Sequence, residues 1–254
     1  MKVAPPPPPR LYQGAAPAEP IWKSRAVKVS VEPDAPRIAI VLDDLGLSSR
    51  KLKDSIALDG PVTLAFLPYG QDLAGQVSKA QQAGHEILLH MPMQPGGEAD
   101  PGPNPLKPGQ PISQAETRLL DAINAVPGIV GFNNHMGSAA TADPLLMKAV
   151  SEIARREGLI FLDSRTTRFT AIPTAAEAAG ADWLERDVFL DHEITPDAIN
   201  AALSRTEHIA RETGHAIAIG HPHPETLTAL KLWLPEARKR GFAIVPVSHL
   251  ADSR

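Results

Sequence analysis

Short apolar runs recur along the chain, and each ends in a side chain able to ligate a metal or move a proton. Residues 38–42 run into Asp43-Asp44, 87–89 into His90, 129–132 into Asn133-Asn134-His135, and 160–162 into Asp163. Residues 188–190 likewise meet Asp191-His192, and 216–219 meet Gly220-His221. Runs of this length, separated by segments of helical spacing, read as parallel strands buried on both faces. Ligands of such sheets bind beyond the carboxyl ends of the strands. Taken singly, each polar residue is what any loop carries. Six in succession aim Asp and His at one mouth.

The pattern places the start of the folded domain near Arg37, where Pro36 gives way to the first run. Ser48-Ser49 caps a helix through Ile56, 62–67 is the second strand, and 71–83 is a helix stopped by Gly84. The third strand, 86–91, precedes a proline- and glycine-rich stretch, 92–111. About 20 aperiodic residues inside a compact domain read as a functional loop or lid, here bordering the substrate groove. Helical spacing returns over 113–126, with Ser113 and Glu116 placed as a capping box. Strands at 129–132, 159–162, 183–190, 215–219 and 242–247 then alternate with helices at 144–157, 174–179, 196–213 and 225–240. The alternation predicts an α/β fold: a single (β/α) barrel over 37–254, closed or nearly closed, with seven or eight mostly parallel strands. Residues 1–36 carry Pro5–Pro9, Pro17, Pro20, Pro33 and Pro36 without an apolar pattern, so they are expected to form a flexible, extended tether.

Composition narrows the chemistry. A length of 254 residues suits one such barrel. With 25 basic and 29 acidic residues the net charge of −4 offers no broad cationic surface, and aromatics at 4% offer no base-stacking platform, so nucleic acid is not an expected partner. The absence of cysteine removes thiolate sites and cysteine nucleophiles, and any transition-metal site must use His and carboxylates. No apolar run approaches the roughly 18 residues of a membrane span. The proline-rich start leads to the expectation that an export signal or anchor lies upstream of this sequence. Ser138 and Thr141 near His135 lack a nucleophile elbow, and neither a phosphate-binding loop nor a dinucleotide fingerprint is present.

Asp43 and Asp44 stand where a strand gives way to a loop, so both can reach the mouth, one to bind a cation and the other to act as base. His90 and His135 with one carboxylate would supply two nitrogens and one oxygen and leave a position open, the layout of a catalytic zinc site. Asp163 and His221 come from the far side. His221 there would protonate a leaving group or stabilise an oxyanion, and Asp163 would orient it through its ring N–H. His221 ranks ahead of His223 because it comes first after its strand, while His223 starts the next helix.

These residues resemble the divergent polysaccharide deacetylase family, a branch of a superfamily of deacetylases on incomplete α/β barrels. The resemblance runs from about Arg37 to Leu250. It rests on Ile40-Val41-Leu42-Asp43-Asp44-Leu45-Gly46, Gly84-His85-Glu86-Ile87-Leu88-Leu89-His90-Met91-Pro92-Met93, Gly131-Phe132-Asn133-Asn134-His135-Met136-Gly137-Ser138, Phe161-Leu162-Asp163-Ser164-Arg165-Thr166-Thr167, Arg186-Asp187-Val188-Phe189-Leu190-Asp191 and Ile219-Gly220-His221-Pro222-His223-Pro224. In the better-known polysaccharide deacetylases an Asp-Asp pair supplies the base and then a metal ligand, and a His-x-x-x-His motif supplies the other two ligands. By position, the resemblance implies Asp43 as base and Asp44 and His90 as ligands. Gln94 occupies the place of the second motif histidine, and Asn133-Asn134-His135 replaces an Arg-Pro-Tyr segment, so His135 is assigned the third ligand position. His221 matches the histidine that acts as general acid, and Asp163 lies where a carboxylate supports that side. The implied activity is metal-dependent removal of N-acetyl or related acyl groups from a cell-envelope polysaccharide, with peptidoglycan a candidate, zinc the first metal and the periplasm or cell envelope the setting. Two alternatives stay open: a non-catalytic glycan-binding or regulatory protein, and a metal hydrolase acting on another amide bond.

Overall fold

The computed structural model describes Pro17 and residues 19–251. The proline run at 5–9 therefore lies outside the described residues. Among the described residues, nine parallel-paired strands form one sheet: β1 (Arg37–Leu45), β2 (Thr63–Phe66), β3 (Glu86–Met93), β4 (Gly131–Met136), β5 (Ile160–Asp163), β6 (Trp183–Glu185), β7 (Val188–Phe189), β8 (His215–Gly220) and β9 (Ala243–Ile244). Eight of them follow one path in the order β6-β5-β4-β3-β2-β1-β8-β7, and β9 pairs with the first residues of β1.

The sheet curls because both of its faces are apolar and must be covered differently. Ala39 and Val41 of β1, Ala65, Leu88, Ile160, Leu162, Ile217 and Ile219 pack together on the concave face as the barrel interior. Their neighbours Ile38, Ile40, Leu42, Leu64, Phe66, Ile87, Leu89 and Phe161 pack outward beneath the helices. This period-2 alternation decides which side chains can reach the mouth. The helices are α1 (Ile21–Arg25), α2 (Ser49–Ser55), α3 (Leu73–Gln82), α4 (Ile112–Ala125), α5 (Pro144–Glu157), α6 (Ile172–Ala179), α7 (Pro196–Thr213), α8 (Pro224–Lys239) and α9 (Val247–Ala251). None of the helices among the described residues is long and apolar enough to cross a membrane.

Four expectations change. The run 183–190 is two strands, because the chain bends at Arg186-Asp187: the Arg186 amide donates to the Asp163 carbonyl and the Asp187 amide to the Ile217 carbonyl. The chain thus passes from one edge strand of the sheet, β6, to the other, β7, without pairing them, so the barrel is incomplete. The capping box at Ser113 is absent. Helix α4 starts at Ile112 behind Pro111, whose φ of −54° suits a helix entry, and Ser113 already lies in the first turn. The strand expected over 242–247 is only Ala243–Ile244 and turns into α9, whose Val247 and Leu250 cover the lower end of the interior.

The fourth correction concerns the tether. From Pro20 onward the segment packs on the barrel. Trp22 is 3% exposed within the interior cluster, and its indole N–H donates to Asp182 Oδ2 at 2.8 Å. Arg25 donates to the Ile129 carbonyl at 3.0 Å, and the Val27 amide donates to Glu86 Oε1 at 3.4 Å. Proline density argues against a core, yet one tryptophan carries enough apolar surface to dock a short segment.

Candidate active site

Strand β1 slips register between Leu42 and Leu45, and Asp44 takes a left-handed φ of 58°. The alternation that points Ala39 and Val41 inward also points Asp43 inward. The kink then brings Asp44, which an uninterrupted strand would turn outward, to the same mouth. In β3 the inward parity of Leu88 delivers His90, and the β3–β4 register sets Asn133 beside it. His135 follows two residues on.

Three ligand atoms converge. Asp44 Oδ1 lies 3.1 Å from His135 Nδ1 and 3.4 Å from His90 Nε2, and the two nitrogens are 3.1 Å apart. Ligands about 2.0–2.1 Å from a tetrahedral zinc ion lie roughly 3.3 Å apart, so the trio has the span of three corners of such a site. Asp44 Oδ1 is buried and makes no hydrogen bond of regular geometry. A buried oxygen left so, facing two imidazole nitrogens, fits a cation. Burial alone would raise the Asp44 carboxyl, but His135 and His90 hold it well below the usual carboxylate range. For His90, burial lowers the pKa and Asp43 and Asp44 together outweigh it, so it is raised.

Asp43 is 3% exposed and stands behind the trio, its Oδ2 3.6 Å from His90 Nε2. Burial pushes its carboxyl up, against the opposing pull of His90, His221 and the Asn133 amide. Across the cavity, His221 Nε2 approaches Asp44 Oδ2 to 3.9 Å. Burial would depress His221, yet its hydrogen bond with Asp191 and the nearby Asp43 raise it to about 8.

The partner of His221 is Asp191, which corrects the expectation for Asp163. Asp191 Oδ1 pairs with His221 Nδ1 at 3.0 Å, and Oδ2 accepts from the His221 amide at 2.6 Å and from Thr226 Oγ1 at 2.9 Å. Gly220 permits this approach, since a Cβ there would sit 3.1 Å from Asp191 Oδ2. Asp191, His221 and His223 also cluster closely enough to hold an ion, but both Asp191 oxygens are already engaged by the hydrogen bonds to His221 and Thr226. Asp163 falls on the wrong parity. Ile160 and Leu162 face inward, so Phe161 and Asp163 face outward, and it is Ser164 that reaches the cavity. Asp163 Oδ1 instead accepts from the Arg165 amide at 2.7 Å, shaping the turn that presents Ser164, Arg165 and Thr166. Strand parity is the signal that would have favoured Asp191 and Asn133 over Asp163.

These groups line one cavity of about 490 Å³, with Arg186, Phe189 and His192 on the side nearest His221. Arg186 is held by the carbonyls of Ser164 and Arg165 at 2.8 and 3.0 Å and lies over the Phe189 ring. The stretch 92–111 contributes no lining residue. It folds back through a Met93–Leu106 bridge, and Gly102 packs against the hydroxyl of Tyr69, whose pKa is raised by burial and by nearby Asp44 and Asp100. It also adjoins the mouth through Pro92 and Met93, in register with His135 and Met136, and through the Gly96 amide, which donates to Ser138 Oγ at 2.8 Å.

A family model described as divergent polysaccharide deacetylase matches residues 40–251. The uncharacterized protein YibQ of Escherichia coli (strain K12) is 36% identical over 197 residues, 78% of this chain and 62% of its own length. The chain thus spans less than two thirds of that relative. The crystal structure of uncharacterized protein ATU2773 from Agrobacterium tumefaciens C58 superposes with a TM-score of 0.88 at 33% identity, covering 91% of this chain and 95% of that one. The fold also matches the Bc1960 peptidoglycan N-acetylglucosamine deacetylase, with a TM-score of 0.53 at 12% identity over 89% of this chain and 93% of that one.

Proposed function

Because the chain belongs to the divergent polysaccharide deacetylase family, we propose that it is a metal-dependent hydrolase removing N-acetyl or related acyl groups from a cell-envelope polysaccharide, with peptidoglycan the first substrate to test. The observation that carries this reading is the opposition of two built sides in one cavity: Asp44, His90 and His135 with Asp43 behind them, and His221 backed by Asp191. A divalent ion held by Asp44, His90 and His135, zinc first for a donor set of imidazole and carboxylate, would polarise the acyl carbonyl and acidify water.

The chain's own groups handle the protons. Asp43, buried and raised, accepts a proton from the attacking water as the water oxygen bonds to the acyl carbon. His221, raised to about 8, is protonated at neutral pH and delivers its Nε2 proton to the amine nitrogen as the C–N bond breaks. Asp191 fixes the His221 ring through Nδ1 so that Nε2 faces the cavity. Asp163 acts only as a positioning residue, through the Arg165 turn. The products are the free acid and the amino sugar.

Acetate release from acetylated peptidoglycan fragments and chito-oligosaccharides by metal-reconstituted protein is the test. Release supports the reading. Tight glycan binding without release replaces it with a non-catalytic glycan-binding protein, and cleavage of a peptide amide instead replaces it with another amide hydrolase.

A further inference from the structure

We infer that Asn133 is a positioning residue that sets the ring tautomer of His90 and couples the metal-ligand side of the cavity to Asp43, an inference that rests on the metal-centre reading above. Asn133 is fully buried in β4, in register with His90. Its amide offers two N–H donors and one carbonyl acceptor, and all three are engaged. Nδ2 donates to Asp43 Oδ1 at 2.9 Å and to Ser164 Oγ at 3.1 Å, and Oδ1 meets His90 Nδ1 at 2.8 Å.

The orientation follows from the contacts. With Nδ2 toward Asp43 Oδ1 and Ser164 Oγ, both N–H groups of Asn133 meet an oxygen, and a flipped amide would lose both. The Asn133 oxygen then faces His90 Nδ1, and an amide oxygen can only accept. His90 Nδ1 therefore carries the proton, which leaves the lone pair on Nε2, the nitrogen beside Asp44 Oδ1 and His135 Nδ1. With the proton on Nε2, His90 could not ligate. A hydrogen-bond partner on the far ring nitrogen fixes tautomer and orientation in this way, and its loss typically costs about 10–100-fold in metal affinity or activity. The same side chain occupies Asp43 Oδ1 and leaves Oδ2 to work in the cavity. One amide thus ties together three strand ends and both halves of the metal-side chemistry.

The test measures tautomer and metal affinity, neither of which depends on the substrate. Long-range ¹H–¹⁵N spectra of metal-free protein labelled in histidine, recorded above the pH at which His90 loses its second proton, report the His90 tautomer, and competition with a chromophoric chelator gives zinc affinity for wild type, Asn133→Leu and Asn133→Asp. The expected result is a proton on His90 Nδ1 in the wild type and zinc binding about 10–100-fold weaker in Asn133→Leu. Asn133→Asp keeps an oxygen acceptor on His90 Nδ1 but loses the donor to Asp43, so it is expected to keep the proton on Nδ1 in the same spectra. A wild-type proton on Nε2 overturns the inference even if Asn133→Leu fails to fold. Equal zinc affinity in Asn133→Leu and wild type, or loss of the Nδ1 proton in Asn133→Asp, overturns it as well. If the wild type binds no zinc, the metal-centre reading falls, and the tautomer still decides the role of Asn133.

Discussion

The two ends of the barrel bury carboxylates in opposite ways. At the lower end Glu86, 1% exposed at the start of β3, accepts from the Ser248 amide at 3.0 Å, from the Ser248 hydroxyl and from the Val27 amide. Those donors come from α9 and from the segment after α1, so a satisfied carboxylate pins these two segments over the interior that Trp22 and Leu250 seal. At the upper end Asp44 Oδ1 is buried without a regular hydrogen bond, and the nearest groups are two imidazole nitrogens that gather on it. A buried charge supplied with donors is a fastener, whereas one left short of them is a place for a ligand. Of the five described non-glycine residues at positive φ, Asp44, Met136 and Arg165 lie at or just past the upper ends of β1, β4 and β5, Asp72 caps α3 and Asn104 lies in the stretch 92–111.

The comparison breaks most sharply if metal content does not follow the upper end. His90→Ala and His135→Ala are expected to lose bound divalent metal that the wild type carries after purification without chelator, as measured by elemental analysis. Equal metal in all three would dissolve the contrast. Next in size, Trp22→Ala is expected to cost about 3–5 kcal/mol, the usual range for an aromatic truncated in a core. Urea melts should show that loss while zinc affinity stays at the wild-type value. A Trp22→Ala protein as stable as wild type would mean that the lower plug is ornamental.

These tests fall on features that the sequence revealed unevenly. The succession of parallel strands and the end at which they form a mouth are legible because continuous apolar runs ending in Asp or His leave few other readings. Asp43, His90 and His221 lie one parity step beyond inward residues of their runs, and all three line the cavity. Asp163 was misread because the run 160–162 does not say which of its faces is concave, and a slip of one residue exchanges Asp163 for Ser164. Asp191 also ends an apolar run, but the sequence alone does not join it to His221: it lies two residues past the two-residue β7, on the parity of Phe189, which lines the cavity. Trp22 was hidden by its proline-rich surroundings, since a single anchor makes no periodic pattern.

The smallest expected effect concerns Glu86. Burial raises its carboxyl from the ordinary 4.5 to about 6, against the pull of Ser248, Val27 and Thr63. The folded value lies above the unfolded one, so the protonated form favours the fold: that contribution is fully present below about 4.5 and is lost as pH rises through about 6. The interval is worth on the order of 2 kcal/mol. Denaturant melts across this range should show a steeper decline for wild type than for Glu86→Gln. Parallel declines would remove the pH-dependent part of the lower fastener.

The central claim is that Asp43 and His221 do proton chemistry on opposite sides of a metal-held acyl group. It is tested most directly by acetate release from an acetylated glycan, measured with metal content in the same samples, for wild type, Asp43→Asn and His221→Ala. The account predicts turnover about 10²–10⁴-fold lower in each variant with metal still bound. It also predicts a wild-type pH profile that rises as Asp43 ionises and falls as His221 loses its proton near 8. Near wild-type turnover in either metal-loaded variant would contradict it.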